Sequence, residues 1–310
     1  MKKDICALSF SEKERICETV FTENGPYWHL YTDGTQMQDI FCTDEDRETG
    51  MWILASAVCN VKDVTLITFE IMGNHVHLIL AGRPESCLKM FNLFKVRLKR
   101  VMNRHGRIVD WERFKANILQ IETLRALRNE IIYAHRNAFV ANPQYTPESY
   151  PWGGGCAYFN AWTESLTLTP FTSLTIDRKR ELTHSRDITD YAGLKLVGHR
   201  VFIPSFCNIR MGESLFSDPR SYFNALTRNA EAFSQIAERL KDSIFLTDDE
   251  IYSVAISHIN NEYNVRNITN LTPQQKIECA RHLRFKYNAS RQQLRRILKL
   301  EEHVLLELFP

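Results

Sequence analysis

The stretch VTLITFEIMGNHVHLILAG, from Val64 to Gly82, carries the reading of the first half of this chain. Val64–Met72 is rich in β-branched and aromatic residues, and His75–Gly82 is a second run of the same kind. Gly73-Asn74 between them is a hairpin-type signal, so two antiparallel strands are expected. Side chains alternate across a strand, which puts Val76, Leu78 and Leu80 on one face and His75 and His77 on the other. The aliphatic set can pack under helices, leaving two imidazoles side by side on a face expected to be open. Neutral imidazole is a common ligand of divalent cations, and a pair at this spacing can fill two coordination positions. Taken alone, the pair also suits hydrogen-bonded or surface histidines.

Working outward, Pro26–Gly34 (PYWHLYTDG) reads as an aromatic-rich strand after a short N-terminal helix. Thr43 and Asp44 offer N-cap chemistry for a helix reaching Asn60. On the other side, Pro84–Arg104 is an amphipathic helix with Leu88, Phe91, Leu93, Phe94, Leu98 and Met102 as its apolar stripe. Phe114–Glu122 reads as a strand and Thr123–Phe139 as a helix. The order is β-α-β-β-α-β-α. Its first six elements match a ferredoxin-like pattern, an antiparallel sheet with helices on one face. The expected fold class is therefore α+β, with a mainly helical C-terminal part. A Pro, Gly and Ser-rich stretch over Asn142–Gly155 closes the first domain, giving expected divisions 1–160, 161–269 and 270–310; residues 160–215 show no periodicity that assigns a fold.

Composition narrows the class. With 44% hydrophobic and 25% charged residues among 310, and Gly 12 and Pro 10, collagenous, low-complexity and wholly disordered chains are excluded. No apolar run approaches the roughly 18 to 20 residues of a membrane span, and the start MKKDICALSFSEKER is charged where a secretory signal is apolar, so a cytoplasmic protein without a membrane partner is expected. The eight cysteines are scattered with no C-x-x-C pair, which argues for reduced thiols over zinc or disulfides. Net charge is only +2, yet Lys89, Lys95, Arg97, Lys99, Arg100, Arg104 and Arg107 follow one another without an acid. Near the C-terminus Lys276, Arg281, Arg284, Lys286, Arg291, Arg295, Arg296 and Lys299 face a single Glu278. Two such segments in a nearly neutral chain suggest a polyanion partner, and solvated helix faces are the plainer alternative.

The helix Thr123–Phe139 supplies the other half of a constellation. Tyr133 and Asn137 are four residues apart and share a helical face. The Asn137 carbonyl oxygen could complete a His/His/Asn cation site with the Tyr133 hydroxyl beside it. A phenol of pKa about 10 is a weak nucleophile at neutral pH unless a metal and local positive charge stabilise the phenolate and the transition state.

Together these residues resemble a known family. GNHVHLIL (Gly73–Leu80) resembles the His-hydrophobic-His (HUH) motif of single-tyrosine transposases of the insertion-sequence type. IIYAHRNAFVA (Ile131–Ala141) followed by ESYPWGG (Glu148–Gly154) resembles the helix and trailing loop of the REP-associated tyrosine transposases, in which Tyr-x-x-x-Asn carries the nucleophile and a metal ligand. The similarity covers roughly residues 25–160 and continues more vaguely through GHRVFIP, FSDPRSYFNALTRNAE and the C-terminal helices. The family usually has Pro where this chain has Gly73, a Pro and a basic stretch at Ala138-Phe139-Val140, and Ser-Ser at Gly153-Gly154.

The resemblance implies His75, His77 and Asn137 as ligands of Mg²⁺ or Mn²⁺ and Tyr133 as nucleophile. The implied reaction is cleavage and rejoining of single-stranded or hairpin DNA through a 5′-phosphotyrosine, by a monomer in preference to a dimer. Glu70 reads more readily as a solvated strand-end acid than as a group behind the ligands. Lys95, Lys99, Arg100 and Arg104 are expected to meet DNA phosphates. Any of Tyr27, Trp28 and Tyr31 can stack on unpaired bases, although at least one must be core. The tail reads as three short helices, Thr272 and Ser290 capping two of them, with Leu294, Ile297, Leu300, Val304 and Leu305 as a small core. It resembles a helix-turn-helix whose DNA contacts would use Arg291, Arg295 and Arg296. Two other functions stay open: a domesticated, non-catalytic DNA-binding protein of repeat hairpins, and a metal-dependent phosphodiesterase that uses the two histidines with water.

Overall fold

The computed structural model of the chain describes residues 8–34, 37–141, 144–228, 230–242 and 246–309, and only the backbone of 139–141, 228, 230 and 231. Cys6, Asn142 and the side chains of Phe139 and Val140 therefore lie outside the described residues. The architecture is α+β, with a four-stranded antiparallel sheet, a small three-stranded sheet and a helical C-terminal region. Two compact units divide the chain, 1–222 and 223–310.

In the first unit, α1 (Phe10–Asn24) precedes β1 (Tyr27–Thr32), α2 (Asp44–Cys59), β2 (Val64–Ile71), β3 (Val76–Gly82), α3 (Pro84–Arg104), β4 (Ala116–Ile121) and α4 (Leu124–Ala141). Helix α2 starts where Thr43 and Asp46 form a reciprocal capping box. The sheet order is β2-β3-β1-β4, every neighbouring pair antiparallel. The Gly73-Asn74 turn joins β2 to β3, so Glu70 lies opposite His77, and β1 brings Tyr31 opposite His77 from the other side.

That register sorts the side chains by face. Leu30, Val76, Leu78 and Leu80 are fully buried on the face covered by α2 and α3, each stabilising the fold by about 1.5–3 kcal/mol. Of the α3 stripe, Phe91, Phe94, Leu98 and Met102 are buried, while Leu88 and Leu93 are half-buried. His29, Tyr31, Thr68, Glu70 and His77 take the second face. This face is not open, because α4 lies across it.

Residues 161–222 fall in the first compact unit, which ends at Tyr222. The physical reason is a set of anchors that periodicity does not reveal. A bulge between Leu66 and Thr68 turns the Ile67 carbonyl out of the ladder, where it accepts from Tyr158 Oη (2.9 Å) and Cys207 Sγ (3.3 Å). The Leu66 carbonyl accepts from the Asn208 amide at 2.7 Å. Trp52 Nε1 donates to the His199 carbonyl, and Asn60 and Arg97 both donate to Tyr191 Oη. The small sheet, β5 (Thr169–Pro170), β6 (Lys195–Val197) and β7 (Arg200–Val201), lies within this stretch, with α5 (Ile176–Thr183) and α6 (Ile209–Ser214). Helix α7 (Pro219–Arg228) runs through the division.

The second unit holds α8 (Ala230–Leu240), α9 (Asp248–Tyr263), α10 (Pro273–Tyr287), α11 (Arg291–Leu298) and α12 (Glu302–Leu308). Thr247, Thr272 and Ser290 each close a capping box, with Glu250, Gln275 and Gln293. The last three helices are those expected of the tail, but α9 packs against α10 and α11, so the unit begins well before residue 270. Leu294 and Leu305 are buried as expected, joined by Ile251, Ile259, Leu283, Leu298 and Phe309; Ile297, Leu300 and Val304 are half-buried. Every described cysteine is free. No helix among the described residues is long and apolar enough to cross a membrane.

Candidate metal centre

The hairpin turn is clasped by the segment before α2. The Gly73 carbonyl accepts from the Ile40 and Phe41 amides, both at 2.8 Å, and a Cβ at Gly73 would meet Asp39 Oδ1. Asn74 Nδ2 donates to the carbonyls of Gly34 (2.9 Å) and Met37 (3.1 Å). With its amide so oriented, Asn74 turns Oδ1 toward His75 Nδ1 at 2.6 Å. An oxygen that can only accept requires the proton on His75 Nδ1, which in the neutral ring leaves the lone pair on Nε2.

His77 lies one strand step further, its ring 5.0 Å from that of His75 and nearly perpendicular to it. One ligating nitrogen of each lies within 4.8 Å of the other, so the pair could hold a metal ion. His77 Nδ1 is 3.0 Å from His29 Nε2, and His29 Nδ1 is 2.8 Å from Glu130 Oε2. His29, His75, His77 and Glu130 are all buried.

Helix α4 brings Tyr133 to the same place. Its ring stands perpendicular to His77 with centroids 5.6 Å apart, and 6.3 Å from His29. Asn137 follows one turn on, buried, its Nδ2 donating to the Tyr133 carbonyl at 3.3 Å. His135, between them in sequence, points to other partners. It sits between Thr68 Oγ1 (2.6 Å) and Tyr222 Oη (2.8 Å), and burial pushes its imidazole down to about 3, so it is neutral and structural.

Glu70 is no solvated strand-end acid. It is buried beside Gly153, to which it forms an isolated bridge, and desolvation pushes its carboxyl well above the usual range. Its place is decided by the turn, which carries β2 under the loop after α4: the Ile71 amide donates to the Trp152 carbonyl and Tyr150 Oη to the Ile71 carbonyl. Of the three aromatics on β1, Tyr27 is core, and the half-buried Trp28 donates its indole N–H to the Gly82 carbonyl. Tyr31 is half-buried with its ring nearly parallel to His77, 6.4 Å away.

The basic groups fall elsewhere. Lys95 is half-buried and Lys99, Arg100 and Arg104 are exposed on α3, the helix covering the face opposite the histidines. Arg296 makes a two-point ion pair with Asp248 (2.7 and 2.9 Å), Arg295 pairs with Glu302 (2.6 Å), and Arg291 reaches the Phe309 carbonyl at 3.5 Å. The structure thus brings His75, His77 and Tyr133 together, with Asn137 on the same helix. It leaves the basic helix on the other side of the sheet.

His29 and Glu130 escape a reading of the sequence, because neither has a local signature. The signals available are weak ones. His29 shares the Tyr27/Tyr31 face at strand period, and Glu130 lies one turn before Tyr133 on the same helix face. No family model, curated protein or solved structure matches this chain.

Proposed function

We propose that this chain is a metal-dependent nickase and strand transferase of the HUH single-tyrosine type, acting on single-stranded or hairpin DNA. The observation that carries the reading is the convergence of the Tyr133 ring on His77 from a helix later in the chain. The sheet order β2-β3-β1-β4 within a β-α-β-β-α-β succession agrees with the ferredoxin-like pattern and supports the same reading.

The residues fit a divalent cation. His75 is held with its lone pair on Nε2, His77 lies beside it, and the buried Asn137 adds an amide oxygen donor on the helix that carries the tyrosine. The amide oxygen and the phosphate oxygens of the substrate are the hard donors that Mg²⁺ or Mn²⁺ takes, and the two imidazoles would complete the set. The ion, when bound, would supply Lewis-acid stabilisation of charge on the scissile phosphate.

Tyr133 Oη attacks that phosphorus and gives up its proton to water. The P–O bond to the 3′ oxygen breaks, the 5′ side stays on the tyrosine, and the 3′ oxygen takes up a proton. A second 3′-hydroxyl then displaces Tyr133 and rejoins the strand without an external energy source. The perpendicular His77 ring and the carbonyl contact from Asn137 hold the tyrosine and its helix turn in place. The test is a denaturing gel of the full chain with labelled hairpin oligonucleotides and Mn²⁺. The expected result is a protease-sensitive shifted band absent in Tyr133→Phe. Cleavage with no shifted band would instead favour water as nucleophile, and binding without cleavage a non-catalytic DNA-binding protein.

A further inference from the structure

Behind His77 the buried polar groups form a chain that ends in the carboxyl group of Glu130. Glu130 Oε2 is 2.8 Å from His29 Nδ1, and His29 Nε2 is 3.0 Å from His77 Nδ1. These groups come from α4, β1 and β3, so the chain exists only in the folded protein. We propose that Glu130 and His29 are positioning residues that hold His77 in the tautomer protonated on Nδ1, so that Nε2 offers its lone pair to a divalent cation. This rests on reading His75 and His77 as a cation site, and it takes nothing from the chemistry of Tyr133.

The order of protons follows from what each group can do. With Glu130 ionised, its carboxylate only accepts, so His29 Nδ1 carries hydrogen. A neutral imidazole then has its lone pair on Nε2, and that nitrogen accepts from His77 Nδ1–H. His77 is left with a lone pair on Nε2. Without the carboxylate both directions of the His29–His77 hydrogen bond are open, and one of them puts a proton on the ligating nitrogen. A carboxylate behind a ligating imidazole also raises the basicity of the ligand and fixes the ring plane. The two histidines are thus set by different devices. Asn74 orients His75 from the adjoining turn, while His77 is oriented from two distant elements.

The test reads the tautomer directly. Full-length, metal-free protein labelled with ¹⁵N in its histidines is examined at neutral pH by long-range ¹H–¹⁵N correlation. His77 is expected with a protonated Nδ1 and an unprotonated Nε2. The reverse assignment in the wild type overturns the proposal without any variant being needed. In Glu130→Gln the amide oxygen can still accept, so the wild-type tautomer should persist. In Glu130→Ala it should become mixed or reversed, with Mn²⁺ affinity falling by about 10- to 100-fold. An unchanged tautomer and unchanged Mn²⁺ affinity in a folded Glu130→Ala protein would also overturn it. Should the DNA adduct fail to form while the tautomer and the Mn²⁺ effect hold, the strand-transfer reading falls and the positioning role stands. The opposite pattern removes only the positioning role.

Discussion

Glu70 occupies the space in which Gly153 would carry a Cβ, and the two backbones meet there in a bridge that pins the loop after α4 to the edge of β2. Thr68 does the same to Gly154. The Gly-Gly pair is therefore required by the neighbours this chain carries on β2. Gly153→Ala should cost about 1–3 kcal/mol, the range for forcing extra volume into a packed site. In a Glu70→Ala background the same change should cost clearly less. Urea unfolding of the four proteins reads the coupling, and additive effects would show that the two positions do not share the space.

Lys299 ends α11 in the left-handed region, with φ of 55°, where a Cβ is strained. Lys299→Gly should raise stability by about 0.5–1 kcal/mol, measured as a higher urea midpoint at unchanged slope. Asn288, at φ of 51°, already carries a residue that tolerates this region and should gain little from the same change.

His258 of α9 and His282 of α10 stack face to face, centroids 3.8 Å apart and planes 5° apart. Burial holds both imidazoles below the ordinary value of 6.5; the His258 ring and Lys286 add to this at His282, while Glu262 opposes it. Tyr263 and Tyr287 border the pair without adding charge near neutrality. Below about pH 6.5 the unfolded chain binds protons that the folded one refuses, so this contribution is present above that pH and is lost as the pH falls. Thermal unfolding of the second unit should drop between about pH 7 and 5, and His282→Gln should flatten that dependence. An unchanged slope in the variant would assign the pH response to other groups.

Arg295 and Arg296 are exposed and ion-paired, so replacing both by alanine should change stability little. If these arginines also meet DNA, the same variant binds hairpin DNA more weakly at every sequence. The slope of log affinity against log salt should then fall by about 1 for each phosphate that is no longer neutralised. An unaltered slope would confine both residues to tying α11 to α12 and α9.

The hairpin from Val64 to Gly82 was legible because strand alternation is a local rule, and it put His75 and His77 on one face. The helix positions of Tyr133 and Asn137 followed from the 3.6-residue period in the same way. That this face would be covered was not legible, since the packing of α4 across β2 and β3 depends on contacts between segments far apart in the chain. His29 and Glu130 are separated by 101 residues and meet only in the fold. Glu70 looked like a surface acid because the loop that buries it carries its aromatic anchors, Tyr150 and Trp152, without periodicity. Residues 161–222 were opaque for the same reason: short turns held by Tyr158, Tyr191 and Asn208 on a bulged strand and its neighbours leave no repeat to read.

The central claim is that Tyr133 becomes covalently joined to DNA. Its most direct measurement is peptide mapping of the protein–DNA adduct by mass spectrometry, after nuclease trimming and proteolysis. A nucleotide on the peptide that contains Tyr133, absent from His75→Ala/His77→Ala protein, is the predicted result. A nucleotide on Tyr31, the other tyrosine beside His77, would contradict the account, as would strand cleavage that leaves every tyrosine unmodified.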